Sequence, residues 1–190
     1  MDERRIKNSD KRSAEVIKRT VWVDFPSVAE VGVYRGFMSK RLVLHPNLML
    51  TMVDSWGEHV ADSYKATGDE FASHSMEEWE DVKAESLSGI DWAKDRVRVY
   101  QGTSQGAADY YAEELFDVVF IDADHSYEST KADIEAWWGM VVPGGYIGGH
   151  DYFDTPNFGV ITAVDEFIAK NEGLELELGE NKTWFVRKPA

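Results

Sequence analysis

The amino-acid sequence predicts an α/β domain with a mostly parallel sheet and helices on both of its faces. Two observations carry this prediction. Short apolar runs alternate along the chain with segments of helical periodicity, and most of these runs end in glycine or polar residues. Strands joined by crossover helices form parallel sheets, and ligands bind such sheets at the carboxyl ends of the strands. We therefore expect the functional residues at that edge.

The predicted elements follow one another along the chain. Apolar or alternating runs predict strands at residues 26–33, 48–53, 96–100, 116–121 and 141–149, the last with a turn at 143–145. Helical spacing predicts helices at 37–44, 73–88 and 104–112, and two more around 127–137 and 160–168. Residues 174–178 and 183–187 predict a C-terminal hairpin, which adds an antiparallel strand. Residues 56–68 lack periodicity and predict an insertion or a lid, which could extend to residue 73.

Composition restricts the classes of function. The chain has 190 residues, 43% of them hydrophobic, which suits one folded domain. Its net charge of -15 disfavours binding to a nucleic-acid backbone or to an anionic membrane surface. The sequence contains no cysteine, which excludes disulfides, thiolate metal ligands and cysteine nucleophiles. No apolar run approaches the length of a membrane span.

The first twenty residues form the one locally basic segment, with seven basic and four acidic side chains. This charged segment has no apolar stretch and is not a secretory signal, so we expect a cytoplasmic protein. We interpret it as a solvated helix packed on the edge of the domain rather than as a binding arm. The predicted organisation is a helical extension at residues 1–25 followed by a domain at 26–190.

A glycine loop follows the first predicted strand. Glu30 precedes Gly32 and Gly36, and glycines at such a position allow a sharp turn and close approach of the backbone to a ligand. The stretch does not match the dinucleotide pattern G-x-G-x-x-G. The acid at Glu30 would repel a pyrophosphate, but it could bind the ammonium of an amino-acid moiety. An ordinary βα turn explains the two glycines equally well.

Polar residues also follow the second and third strands. Asp54 could accept both hydroxyl hydrogens of a ribose, or it could cap the next segment. Trp56 could cover an adenine ring, or it could pack within the loop. Gly102 and Ser104 follow the third strand, where short polar side chains could contact an adenine edge or cap the next helix.

Acidic and imidazole side chains follow the fourth and fifth strands. Asp122, Asp124 and His125 come after one strand, and His150 and Asp151 after the next. If these strands are adjacent, Asp122, His150 and Asp151 converge and could hold a hard or borderline divalent cation. His125 or His150 could instead act as a general base. A hydrogen-bonded cluster without metal is the third interpretation.

Four motifs together resemble one known family. They are Glu30-x-Gly32-x-x-x-Gly36, Val53-Asp54-Ser55-Trp56, Phe120-Ile121-Asp122-Ala123-Asp124-His125-Ser126-Tyr127 and Pro143-Gly144-Gly145-Tyr146-Ile147-Gly148-Gly149-His150-Asp151-Tyr152. In this order they resemble the class I S-adenosylmethionine-dependent methyltransferases, and more narrowly the branch known as methyltransferase domain 24, which is related to small-molecule O-methyltransferases. The resemblance covers roughly residues 28–186. It implies a Rossmann-like methyltransferase fold with a mostly parallel seven-stranded sheet and a C-terminal antiparallel hairpin.

The resemblance implies roles for the matching positions. The implied S-adenosylmethionine-binding residues are Glu30, Gly32, Tyr34, Gly36, Asp54, Ser55, Trp56, Gly102, Ser104 and Asp122. Asp122 matches the first metal-binding aspartate of the metal-dependent relatives, and His150 and Asp151 fall where those relatives carry an Asp-Asn or Asp-Asp pair. Three positions depart from the pattern: Tyr34 replaces a glycine, His150 replaces a carboxylate, and His125 stands near the place of a missing lysine.

The leading hypothesis is methyl transfer from S-adenosylmethionine to a small-molecule acceptor, most simply at an oxygen. His125 or His150 would be the base, or Mg, Mn or Fe at Asp122, His150 and Asp151 would acidify the acceptor. Two alternatives stay open: a metal-dependent hydroxylase-like enzyme on the same scaffold, and a non-catalytic S-adenosylmethionine-binding protein. A nicotinamide oxidoreductase fits the glycine loop poorly. We expect no nucleic-acid or membrane partner, and a homo-oligomer stays open.

Overall fold

The structure, a computed structural model, describes residues 3–57, 62–68 and 70–190. Its helices are α1 (Glu3–Lys18), α2 (Ser39–Leu42), α3 (Asp62–Thr67), α4 (Met76–Ser88), α5 (Ser104–Tyr110), α6 (Tyr127–Trp138) and α7 (Val160–Lys170). Its strands are β1 (Ser27–Val31), β2 (Met49–Asp54), β3 (Val97–Gln101), β4 (Phe116–Ile121), β5 (Val141–Gly149), β6 (Leu176–Leu178) and β7 (Trp184–Arg187). Short 3-10 turns lie at Glu70–Ser73 and Asp91–Arg96.

The seven strands form one sheet in the order β3-β2-β1-β4-β5-β7-β6. The first five are parallel, and β7 pairs antiparallel with both β5 and β6. This confirms the predicted fold class and the C-terminal hairpin. The strand order reverses between β1 and β4, so the crevice expected at such a reversal opens at the carboxyl ends of these two strands.

Both faces of the sheet are covered, because successive side chains of the central strands point to opposite sides. Val119 of β4 packs with Trp137 of α6 and Val164 of α7 on one face. Phe120, the next residue, packs on the other face with residues of α2 and α4 such as Leu42 and Val82. The near-continuous apolar sequence of the central strands follows from this burial on both faces.

Two segments differ in detail from the prediction. Residues 62–67 of the predicted lid form the helix α3, and a 3-10 turn follows it; residues 58–61 and 69 of that segment lie outside the described residues. The predicted turn at residues 143–145 lies within β5 as an irregularity, because the pairing with β4 shifts from Phe116–Val141 to Val118–Tyr146. The extra residues bulge out of β5 without ending it.

Helix α1 packs on the domain with one face and exposes the other to solvent. Its residues Ser9, Ser13 and Val16 are buried, whereas residues such as Lys7 and Lys11 are exposed. Just after the helix, the guanidinium of Arg19 lies 3.5 Å from the ring centroid of Phe185 and bonds Glu177 of β6 at 3.0 Å. In the described part of the chain, no helix is both long and apolar enough to cross a membrane.

Candidate functional site

A cavity of about 440 Å³ opens at the carboxyl ends of β1 to β5. This volume lies within the usual range of small-molecule sites. Of the predicted site residues, all but Gly36 and Trp56 border it, and three residues of α1, namely Arg5, Asn8 and Arg12, border it as well. The parallel strands therefore bring together residues that are far apart in sequence.

The glycine loop after β1 approaches the end of β4 very closely. Gly32 has a φ of +90°, and a Cβ built there would lie 2.1 Å from the backbone oxygen of Asp122. The Gly32 N–H donates to the Val53 carbonyl at 2.8 Å, so the turn is fixed between β2 and β4. Only glycine combines this backbone conformation with this lack of space. Tyr34 nearby has a φ of +52°, a strained conformation for a bulky residue.

Asp54 holds the glycine loop in place. Its Oδ2 accepts the backbone N–H groups of Val33 and Tyr34 at 2.7 and 2.8 Å, and its Oδ1 accepts that of Trp56 at 2.8 Å. A carboxylate offers about four lone-pair directions. Most of these are used by backbone N–H groups of the protein, so Asp54 serves the loop itself.

Trp56 and Gly36 do not border the cavity. Trp56 is 2% exposed, and its indole N–H donates to the Tyr34 carbonyl at 3.1 Å. It packs within the loop, so the assignment to an adenine ring is wrong. Gly36 has a φ of +69° and turns the loop against Ser86 of α4, 3.1 Å from the position of its missing Cβ. Both residues support the conformation of the loop from the side that faces away from the cavity.

A group of acidic and imidazole side chains lies at the ends of β4 and β5, as predicted. Asp151 Oδ2 lies 2.7 Å from His125 Nε2 and 3.0 Å from His150 Nδ1. Asp122 Oδ1 lies 3.5 Å from His150 Nδ1 and 3.8 Å from His125 Nε2. The fifth member is Arg12 of α1, whose Nη1 donates to Asp122 Oδ2 at 2.7 Å. We call these five residues the charged cluster.

The comparisons with known proteins agree with this geometry. A model of the family described as "Methyltransferase domain" matches residues 29–152, which run from β1 to just beyond β5. The chain belongs to this family. It is an S-adenosylmethionine-dependent methyltransferase, and the hydroxylase alternative is not favoured. A search of curated protein sequences finds no significant match.

Solved structures share the fold of this methyltransferase at low sequence identity. The calicheamicin methyltransferase CalS11 is 16% identical with a TM-score of 0.66, over 98% of this chain and 80% of that one. An O-methyltransferase from Bacillus cereus in complex with SAH is 18% identical with a TM-score of 0.62, over 99% and 82%. The O-methyltransferase NovP is 20% identical with a TM-score of 0.59, over 98% and 80%.

The buried acid at the start of the methyltransferase's glycine loop is held in its neutral form. Burial raises the pKa of Glu30 to about 8, against the hydrogen bond from Ser39 and the charge of Arg12. Glu30 Oε2 accepts the Ser39 hydroxyl at 2.5 Å, and the residue borders the cavity. An ammonium group bound in the cavity would favour the ionised form of this carboxyl.

The two histidines of the charged cluster differ in their surroundings. Burial lowers the pKa of His150, but the charge of Asp122 and hydrogen bonds to Asp122 and Asp151 outweigh it and raise the pKa to about 9. Its other nitrogen, Nε2, lies 3.2 Å from the side-chain amide of Asn181. His125 instead stacks on Phe158 at 4.6 Å with an interplanar angle of 3°.

The carboxylates of the charged cluster are ionised. Burial alone would raise the pKa of Asp122, but Arg12 and His150 hold it well below its usual range. Burial likewise opposes ionisation of Asp151, yet its hydrogen bonds to His125 and His150 lower its pKa to about 2. The cluster therefore contains two carboxylates balanced by cations that belong to the protein.

The predicted metal site does not fit this cluster. His150 has a contact on each ring nitrogen, and the group with metal-like spacing is Asp122, His125 and Asp151 instead. Moreover, the Arg12 guanidinium occupies one oxygen of Asp122. A dication held by Asp122 would lie close to this fixed cation and be repelled by it.

Among the residues that border or support the cavity and were not predicted, Arg12, Asn181 and Asp133 matter most. Arg12 lies 110 residues from its partner Asp122, and no local pattern signals such a pairing. Asn181 lies in the hairpin turn. Asp133 of α6 did carry a signal, because it shares the apolar face of that helix with Trp137, four residues on, where an acid is out of place.

Asp133 lies at the Ser104 side of the cavity and is 2% exposed. Its Oδ1 accepts the Gln105 side-chain amide at 2.7 Å, and Trp137 donates to the Ser104 hydroxyl at 2.9 Å. Burial raises the pKa of Asp133 to about 7, against hydrogen bonds from Ser104 and Gln105. This end of the cavity thus holds a carboxyl that titrates close to neutral pH.

The raised pKa of Asp133 predicts a pH-dependent stability. Because the folded protein binds this proton more tightly, the stabilisation is complete below the ordinary pKa and is lost as pH rises through about 7. Asp133→Asn removes this titration. Its effect on the free energy of unfolding, relative to wild type, should therefore be more favourable at pH 8 than at pH 5 by about 1–3 kcal/mol. Urea unfolding at both pH values checks this. Asp109→Asn, at an exposed position on α5, should show no such difference; an equal response of both variants would contradict the prediction.

Proposed function

We propose that the chain transfers a methyl group from S-adenosylmethionine to an oxygen of a small-molecule acceptor. The observation that carries the oxygen assignment is the paired His125 and Asp151 on the same cavity as the glycine loop. An alcohol or phenol must lose its proton as the methyl group arrives, and a histidine oriented by a carboxylate suits this task. An amine acceptor has its own lone pair and needs such a base less.

The cofactor lies along the carboxyl ends of β1, β2 and β3 in this proposal. The turn at Gly32 lets the backbone approach it, Glu30 faces its ammonium group, and Asp54 accepts a ribose hydroxyl. Ser104 and Gln105 line the adenine end, with Asp133 behind them. When bound, S-adenosylmethionine supplies an electrophilic methyl group on a sulfonium. The protein's main contribution is to align the acceptor with it.

His125 is the base in this proposal, and His150 has a positioning role. In this proposal the His125 ring donates to the carboxylate of Asp151, whose Oδ2 lies 2.7 Å from Nε2, and the other ring nitrogen, Nδ1, receives the proton. Stacking on Phe158 fixes the ring plane. His150 has a pKa of about 9, so it is already protonated at neutral pH and cannot accept the acceptor's proton.

The acceptor end of the cavity combines aromatic and basic side chains. Tyr64 of α3 and Phe71 of the following turn border it, so the predicted lid segment does reach the cavity. From the other side comes α1, and Arg5 lies 4.6 Å from the Phe71 ring centroid. Residues 1–25 are then a functional part of the site rather than an appendage to the domain at 26–190. A small, polar acceptor suits this lining.

The remaining assignments, of partners and of location, rest on composition and on surface exposure. A net charge of -15 favours a small acceptor over a nucleic acid. The lack of cysteine suits the reducing cytoplasm. A homo-oligomer is compatible with the exposed Trp22 and Phe25.

A methyl-transfer assay tests the proposed function. S-adenosylmethionine carrying a labelled methyl group is incubated with the full chain and a set of hydroxylated acceptors, each matched with its amine analogue. We expect label on hydroxylated acceptors, with one S-adenosylhomocysteine formed per methyl group, and little on the amines. Transfer to amines alone, or no transfer to any acceptor in the set, would argue against an O-methyltransferase.

A further inference from the structure

We infer that Arg12 is the fixed cation of this active site and takes the position and the electrostatic role of a divalent metal ion. This inference rests on the proposed methyl transfer to oxygen. The guanidinium would neutralise Asp122 and stabilise the negative charge that develops on the acceptor oxygen as His125 removes its proton. Catalysis then needs no added metal.

The Arg12 side chain is largely buried and is fixed by hydrogen bonds, unlike a mobile side chain on the surface. Its Nη1 donates to Asp122 Oδ2 at 2.7 Å and its Nη2 donates to the Ser9 hydroxyl at 3.0 Å. The two ion-paired side chains are only 17% and 18% exposed, and Ser9 is 1% exposed. Arg12 Nη1 also lies 3.4 Å from His150 Nδ1. The guanidinium is thus locked among the side chains that were predicted to hold a metal.

Helix α1 is anchored firmly enough to keep Arg12 there. Beyond its last turn, Arg19 donates to Glu15 at 2.7 Å and to Glu177 of β6 at 3.0 Å, and it stacks on Phe185. Val16 is fully buried between these contacts. These contacts fix the end of α1 at the sheet, and they therefore also fix the position of Arg12 at the cavity.

The chemistry of arginine suits the role of a fixed cation. A guanidinium stays protonated at any pH at which the protein is folded, and it presents several N–H donors in one plane. It can bond Asp122 and still offer a donor towards the cavity, which Arg12 borders. Charge stabilisation by a preorganised donor acts where negative charge develops, which is also what a metal ion would provide.

A manganese titration tests this inference without donor or acceptor. Mn²⁺ is titrated into the full chain, and the electron paramagnetic resonance signal of the free ion is measured. We expect wild type and Lys7→Ala, an exposed position on the same helix, to bind no ion in the cluster. Arg12→Ala removes the cation from Asp122, which has metal-like spacing with His125 and Asp151, and should gain one Mn²⁺ per chain. Adding Asp122→Asn to Arg12→Ala should remove that ion again.

Measurements of turnover are the second test of the inference. We expect wild-type turnover to be unchanged by a chelator, Arg12→Ala to lose about 100-fold or more, and Arg12→Lys to recover part of it. Circular dichroism confirms that each variant is folded. If Arg12→Ala does not fold, the wild-type measurements still decide.

Each contrary result overturns a definite part of the inference. Mn²⁺ binding by wild type that Asp122→Asn abolishes would show that the guanidinium does not exclude a metal, and so would loss of wild-type turnover in chelator. A folded Arg12→Ala that takes up no Mn²⁺, or that turns over like wild type, would also overturn it. A chain with the expected Mn²⁺ behaviour but no methyl transfer would instead refute the proposed function.

Discussion

Replacing Gly32 by alanine should weaken S-adenosylhomocysteine binding by about 100-fold or more, equivalent to about 2.7 kcal/mol. The new Cβ would lie 2.1 Å from the backbone oxygen of Asp122, at a φ of +90°. The obstacle is the backbone at the end of β4, which is paired on both sides and cannot move away as a flexible side chain would. The loop must therefore leave the position that forms the cofactor end of the cavity. Isothermal titration calorimetry measures the affinity.

Gly139→Ala is the matched control for Gly32→Ala. Gly139 caps α6 with an ordinary helical backbone and has no atom within 4 Å of the position of a Cβ. We expect its affinity to match that of wild type. Near-normal binding by a folded Gly32→Ala would mean that the glycine loop does not form the cofactor site.

Replacing His125 by alanine should lower kcat by about 100- to 10,000-fold with little change in cofactor affinity, because the loss concerns proton transfer. Asp151→Asn should also lower kcat, since an amide no longer favours the tautomer with its proton on Nε2. Asparagine tolerates the φ of +58° found at Asp151, so this variant keeps the backbone unstrained. Steady-state kinetics on an acceptor found in the methyl-transfer assay measures both effects.

His45→Ala is the control for His125→Ala. His45 follows α2 and precedes β2, at the opposite edge of the sheet from the cavity, so its loss should leave kcat unchanged. If His125→Ala turns over like His45→Ala, the assigned base is wrong. If His150→Ala alone abolished turnover at unchanged cofactor affinity, the roles of the two histidines would be exchanged.

Much of the fold could be predicted because its central strands carry a local signal. The strand at residues 116–121 was predicted with the bounds that β4 has, because an apolar run buried on both faces needs no knowledge of its partners. Helix α3 escaped prediction because its sequence, DSYKAT, has no apolar face. The irregularity in β5 was not predicted because a proline and two glycines are typical of a turn. In the structure, β5 continues beyond these residues because it pairs with β4 on one side and β7 on the other.

The candidate site was predictable to the extent that topology alone assembles it. Parallel strands bring their carboxyl ends to one edge, so Asp122 and Asp151 converge once their two strands are neighbours, as β4 and β5 are. The assignments of Trp56 and Asp54 concern side chains that serve the loop itself, and sequence spacing does not separate a residue that holds a loop from one that holds a ligand. The role of Arg12 could not be predicted, because it depends on where α1 packs, and Arg12 and Asp122 are 110 residues apart in the sequence. Arg12 is also the residue that most changes the chemistry inferred for the cluster.

The most direct test of the central claim is a calorimetric titration of the wild-type chain with S-adenosylhomocysteine, once with added Mg²⁺ and once with a chelator. The cavity and its loop predict one molecule bound per chain, with the same affinity under both conditions. Binding only with Mg²⁺ would contradict the assignment of the cluster as a metal-free site. No binding under either condition would contradict the assignment of the cavity to S-adenosylmethionine.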